Sequence, residues 1–131
     1  MLKKASPLSD GTERIVESVI GCAVNVHRAL GPGFFEPIYH NALRIEFADS
    51  GITFENEKRV FVHYRGQVVG TQRLDFIVAG EVIVEIKAVK ELEPLHHVQL
   101  MSYLRGTGLR VGLLMNFGGL NLRSGLKRIV V

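Results

Sequence analysis

The sequence predicts an α/β fold, in the looser α+β sense: a mixed β-sheet with helices packed against it. Three observations carry this. Apolar residues recur at helical spacing up to about residue 50, and the period drops from 3.6 to 2 near Val60. A helical stripe returns at Pro94, followed by a strand-length apolar run. Three strands joined by tight turns, a crossover helix and a returning strand give the order α-α-β-β-β-α-β-(β).

Asp10 followed by Glu13 has the form of a capping box and opens a helix that runs to about Leu30. Its apolar positions Ile15, Val19, Ile20, Ala23, Val26 and Leu30 fall at helical spacing. Gly31-Pro32-Gly33 breaks it. A second helix begins near Phe35, tolerates Pro37 in its first turn, and stops at Gly51. Val60, Val62 and Tyr64 then alternate with Phe61, His63 and Arg65, and Arg65-Gly66-Gln67 forms a hairpin turn. Leu74, Phe76 and Val78 alternate with Arg73, Asp75 and Ile77 before a second tight turn at Ala79-Gly80-Glu81. The next strand puts Val82, Val84 and Ile86 on one face and Ile83, Glu85 and Lys87 on the other. From Pro94 to about Arg105 a helix carries Leu95, Val98, Met101 and Leu104 as its core stripe, ended by Gly106 and Gly108. LRVGLLMNF is a buried strand, and KRIVV is one more.

The length of 131 residues fits one domain, residues 1–131, with residues 1–10 flexible. Apolar residues make up 47% and charged residues 22%, a globular rather than a disordered composition. A net charge of +3 is compatible with a polyanionic partner. The lone Cys22 excludes an intramolecular disulfide and reads as a small core side chain. MLKKASPLSDGTER has no apolar stretch of the signal-peptide kind, and no run approaches the roughly 20 residues that span a bilayer. A cytoplasmic protein is the expectation.

The stretch VIVEIKA carries the chemistry. Glu85 and Lys87 project from one face of a strand with apolar neighbours. The hairpin across Ala79-Gly80-Glu81 brings Asp75 near the level of Glu85. Two carboxylates at close range repel, and a divalent cation between them removes the conflict. Magnesium is held by one or two carboxylates plus waters and phosphate oxygens. The Lys87 ammonium adds positive charge where a phosphoryl transition state gains negative charge. The competing structural reading is an Asp75–Lys87 ion pair with Glu85 at a solvated edge. His27, one turn before the glycine break, caps its helix or bonds a loop carbonyl. His96-His97 point about 100° apart on a helix, with no second ligand pair, which excludes zinc. Lys3, Lys4, Lys127 and Arg128 are solvated surface charges.

Gly33-Phe34-Phe35-Glu36-Pro37-Ile38-Tyr39 resembles the G-x-x-E-x-x-Y signature of the bacterial and archaeal GxxExxY proteins, and the likeness continues through EIKAVKELEPLHHVQLMSYL to GLKRIVV. That family is a branch of the PD-(D/E)XK nuclease-like superfamily. The resemblance implies a restriction-endonuclease-like αβββαβ core with an extra N-terminal helix, and hydrolysis of nucleic-acid phosphodiester bonds with Mg²⁺ or Mn²⁺. By it, Asp75 matches the acidic residue of the second core strand, Glu85 and Lys87 the (D/E)-x-K of the third, and Glu36 the acidic residue of the first core helix. Asp75, Glu85 and Glu36 would bind the metal and Lys87 would assist catalysis. Gln99 and Tyr103 match the Q-x-x-x-Y of RecB-like nucleases and, with His96 on their side of the helix, would contact nucleic acid, DNA ahead of RNA. Leu74, not proline, precedes Asp75. Two further readings stay open: a catalytically silent module binding nucleic acid or a protein, and a metal-binding regulator. The small size suggests a homodimer or larger assembly, without a membrane.

Overall fold

The computed structural model describes residues 6–131. Helices α1 (Asp10–Leu30) and α2 (Glu36–Asp49) precede strands β1 (Phe54–Tyr64), β2 (Gln67–Val78) and β3 (Val82–Lys87). Helix α3 (Pro94–Thr107), β4 (Val111–Asn116), a short 3₁₀ turn and β5 (Leu126–Val130) complete the order that the periodicity predicts. The sheet runs β1-β2-β3-β4-β5, antiparallel throughout except for the β3–β4 pair. That pair is parallel because α3 crosses over the sheet between them.

Both hairpins close on two residues with positive φ. Arg65 and Gly66 have φ of 50° and 78°, Ala79 and Gly80 φ of 52° and 68°, the signs of type I′ turns that match strand twist. Helices α1 and α2 cover one face of the sheet with Val19, Tyr39, Leu43 and Phe47 against Phe76, Val84, Ile86 and Leu113. Helix α3 covers the other with Leu100, Tyr103 and Leu104 against Ile83 and Leu114. With a layer on each side, β4 is buried throughout and β3 nearly so, which is why both read as continuous apolar runs.

Several details differ from the sequence reading. The N-cap of α1 is Ser9, whose Oγ accepts from the Thr12 amide at 3.1 Å. Glu13 is instead paired through both carboxylate oxygens with Arg128, a bond that holds its carboxyl down at about 2. Arg128 is therefore not a free surface charge, whereas Lys127 is exposed and Lys3 and Lys4 lie outside the described residues. Of the stretch expected to be flexible, residues 1–5 are also outside them, but Leu8 is buried in the core and Ser9 caps α1. The α3 stripe is rotated: Leu95 and Val98 are exposed, and Leu100 and Tyr103 take the core positions. Gly112 on β4 explains the contact, since a Cβ there would lie 2.7 Å from Leu100 Cδ1. Cys22 is buried as expected, and His27 Nε2 bonds the Gly119 carbonyl oxygen at 2.9 Å.

Candidate active site

Strand β2 changes face at Asp75. Leu74 packs in the α3 cluster and Phe76 in the α1/α2 cluster, although residues two apart on a regular strand share a face. Both neighbouring ladders are interrupted at this level. On β1, Asn56 pairs with Phe76 and Lys58 with Leu74, skipping Glu57, which has φ of 52°. On β3, pairing ends at Phe76↔Val84. Side chains supply the missing rung: the Asp75 amide donates to Glu85 Oε1 at 2.9 Å, and the Ile86 amide donates to Asp75 Oδ2 at 2.8 Å.

This exchange leaves Asp75 Oδ1 and Glu85 Oε2 without a hydrogen-bond donor among the described residues. Burial, then the neighbouring Asp75 charge, pushes the Glu85 carboxyl up to about 8. Asp75 is raised by burial and partly restrained by the Ile86 amide, His40 and Lys87. The ion-pair reading with Glu85 at a solvated edge does not hold, because Glu85 is 5% exposed.

Glu36 joins them from the first turn of α2, half-buried, with its carboxyl raised by burial and by the Asp75 charge and lowered by Lys87. The GxxExxY segment explains its placement. Gly33 (φ 109°) turns the chain, and the fully buried Tyr39 stacks on Phe117 with ring centroids 4.8 Å apart. The Tyr39 hydroxyl donates to the Gly31 carbonyl at 2.6 Å and accepts from the Phe34 amide at 3.2 Å. The loop that delivers Glu36 is thereby fixed to the core. Lys87 Nζ, from the end of β3, donates to Gln99 Oε1 at 3.5 Å. Tyr103 lies beneath, pushed up to about 12 by burial and then by the Glu85 and Asp75 charges, and held down by a bond from Gln99. Gln99 thus meets Lys87, and Tyr103 lies within the influence of the Glu85 and Asp75 charges. His96 Nδ1 accepts from the Glu93 amide at 3.0 Å and caps α3.

Two residues escaped the sequence reading. His40 stacks on Phe76 at 4.4 Å, and its Nδ1 lies 3.9 Å from Asp75 Oδ1, while its buried Nε2 has no partner among the described residues. Its signal was its place one helical turn after Glu36, on the same face of α2. Asn116, a polar end to an apolar strand, bonds the Val89 backbone and so holds the chain just after Lys87. A pocket of about 350 Å³ opens on the α2 side, lined by Glu36, His40, Asn41, Glu57, Arg73 and Asp75.

Among the described residues no three His, Cys, Asp or Glu side chains converge into a ready-made metal cage. The donor chemistry nevertheless fits a hard divalent cation. Two carboxylates held close together, each with one oxygen free of protein donors among the described residues, suit an ion completed by water.

Carboxylates from two parted strands, a lysine two residues on and an acidic helix start opposite define a nuclease-like fold. The chain matches the PD-(D/E)XK nuclease superfamily over residues 13–129 and belongs to it. Nucleases of this superfamily generally use divalent metal ions and act on nucleic acid. The chain is similar to the crystal structure of SSO0001, with a TM-score of 0.57 and 24% identity. That match covers 72% of this chain and 48% of the other, so the chain spans about half the length of that protein, and the likeness is one of fold. No curated protein matches the chain. No helix among the described residues is long and apolar enough to cross a membrane.

Proposed function

We propose that this chain is a Mg²⁺- or Mn²⁺-dependent nuclease of the GxxExxY branch that hydrolyses nucleic-acid phosphodiester bonds. The observation that carries the reading is the carboxylate pair that replaces a rung between β2 and β3, each member keeping one oxygen free. Asp75 and Glu85 would hold the cation through those oxygens, with Glu36 facing them across the pocket. When bound, a divalent cation supplies Lewis acidity at the phosphoryl oxygen and a water more acidic than bulk. The Lys87 ammonium, steadied by Gln99, sets a positive charge beside the carboxylates, where it neutralises charge growing on the phosphoryl oxygens. Tyr103, raised by burial and by the Glu85 and Asp75 charges, stays protonated.

The test is cleavage of single-stranded, duplex and branched DNA and RNA with Mg²⁺ or Mn²⁺, beside Asp75→Ala and Lys87→Ala. Cutting by the wild type and none by the variants is the expected result. A wild type that cuts no substrate, or variants that cut equally well, overturns the reading.

A further inference from the structure

Past Lys58 the β1–β2 hairpin leaves the body of the fold. Val60 packs against the α3 cluster, and Gln72 Nε2 donates to Ser102 Oγ at 2.9 Å. Farther out Phe61, Tyr64, Val68 and Val69 are all more than half exposed. No acidic residue stands between Lys58 and Leu74, a stretch that also holds Arg59, His63, Arg65 and Arg73. Lys58 is paired with Glu55 and Arg73 with Glu57, while Arg59 and Arg65 make no salt bridge among the described residues.

The register tells which face each side chain takes. Arg59 pairs with Arg73 and Phe61 with Thr71, and directly paired residues share a face. Arg73 lines the pocket with Glu36, His40 and Asp75. Alternation then places Arg59 and Phe61 in a row leading outward from that pocket, and Val60 and Val62 on the opposite face, ahead of the register shift between Val62 and His63. From Arg59 to Phe61 the row is roughly 7 Å long at strand rise.

We propose that this row binds an unpaired stretch of the substrate nucleic acid, with a base stacked on Phe61 and the backbone phosphates beside Arg59. The inference rests on the nuclease reading for the nature of the polyanion. Charge argues against a second copy of the chain in this place, since two acid-free cationic ribbons repel each other. Unpaired bases suit the row because it offers an aromatic face, and stacking needs no match of hydrogen bonds. In a duplex the base faces are covered by their stacked neighbours, so Phe61 would find none exposed to stack on.

Fluorescence anisotropy with labelled oligodeoxythymidylate, in metal-free buffer, tests it without turnover. Phe61→Ala is expected to weaken binding about 10-fold, and Arg59→Gln to weaken it and flatten its salt dependence. Val62→Ala, on the other face, leaves affinity unchanged, and matching melting curves exclude unfolding. Equal affinity of Phe61→Ala and wild type overturns the proposal, as does tighter binding of duplex than of single strand. A change in oligomeric state on Phe61→Ala also overturns it, in favour of self-association. The two readings fail separately. Binding lost in Phe61→Ala by a protein that cuts nothing keeps the row and removes the nuclease, whereas cutting untouched by Phe61→Ala and Arg59→Gln does the reverse.

Discussion

Asn116 clasps the Val89 backbone from both sides: its Oδ1 accepts from the Val89 amide at 3.0 Å and its Nδ2 donates to the Val89 carbonyl at 2.8 Å. The Phe117 amide adds a bond to the Lys87 carbonyl at 2.8 Å. Asn116→Ala leaves the part-buried Val89 amide and carbonyl without these partners, at a cost of about 1–3 kcal/mol. Denaturant melts will show a lower midpoint at unchanged slope; an unchanged midpoint removes the clasp from the account of how Lys87 is held.

Gly118 sits against the same segment. A Cβ there would lie 2.2 Å from the Val89 carbonyl oxygen, a contact with backbone that no rotamer relieves. Gly118→Ala is expected to cost about 1–3 kcal/mol and to lower turnover, because relief of the clash moves Val89 and Lys87 together. Melting temperature and cleavage rate, measured on one preparation, check both halves.

Glu85 makes stability fall as pH rises in metal-free buffer. Burial pushes its carboxyl from the ordinary 4.5 up to about 8 in the folded chain, so the native state binds more protons between those values. Stability is therefore highest below the unfolded value and declines as pH climbs through about 8. Glu85→Gln keeps an oxygen for the Asp75 amide but cannot ionise, and its melting temperature is expected to vary less across that window. A divalent cation should protect the wild type more strongly at the alkaline end. Parallel pH profiles for wild type and Glu85→Gln would discard this assignment.

Lys87→Met is expected to lower turnover by roughly 10²–10³, the loss typical of removing one charge-stabilising donor. Oligonucleotide affinity and melting temperature stay close to wild type, since the Lys87 side chain is half exposed and, among the described residues, bonds Gln99 alone. Single-turnover kinetics separate the chemical step from binding. A variant as fast as the wild type assigns the lysine to the surface.

Tyr39→Phe removes one hydroxyl that serves both the Gly31 carbonyl and the Phe34 amide. The expected cost is about 1–2 kcal/mol, with slower cleavage as the Glu36 loop loosens. Hydrogen exchange at the Phe34 amide reads the loop directly, and protection equal to wild type contradicts the anchoring role.

Element order and the shared face of Glu85 and Lys87 were legible because alternation and helical spacing are local signals. The α3 stripe was not: Leu95 and Val98 have the right spacing, yet the missing Cβ of Gly112 decides where α3 meets the sheet through Leu100. The turnover of β2 at Asp75 was hidden for a like reason. It depends on a left-handed residue, Glu57, in the partner strand, and nothing about glutamate announces positive φ. His40 and Asn116 act through contacts 35 and 27 residues away in sequence, beyond any local pattern.

Because the Asp75 and Glu85 side chains complete a rung of the sheet, they are held by the architecture as well as by the chemistry. A descendant that gave up cutting would still need both acids to join its strands, and would be free to drift first at Lys87. If the chain cuts as proposed, the lysine is the position whose loss is expected to mark retirement from catalysis among divergent copies, and sequencing paired with cleavage assays across such copies would show whether activity follows it.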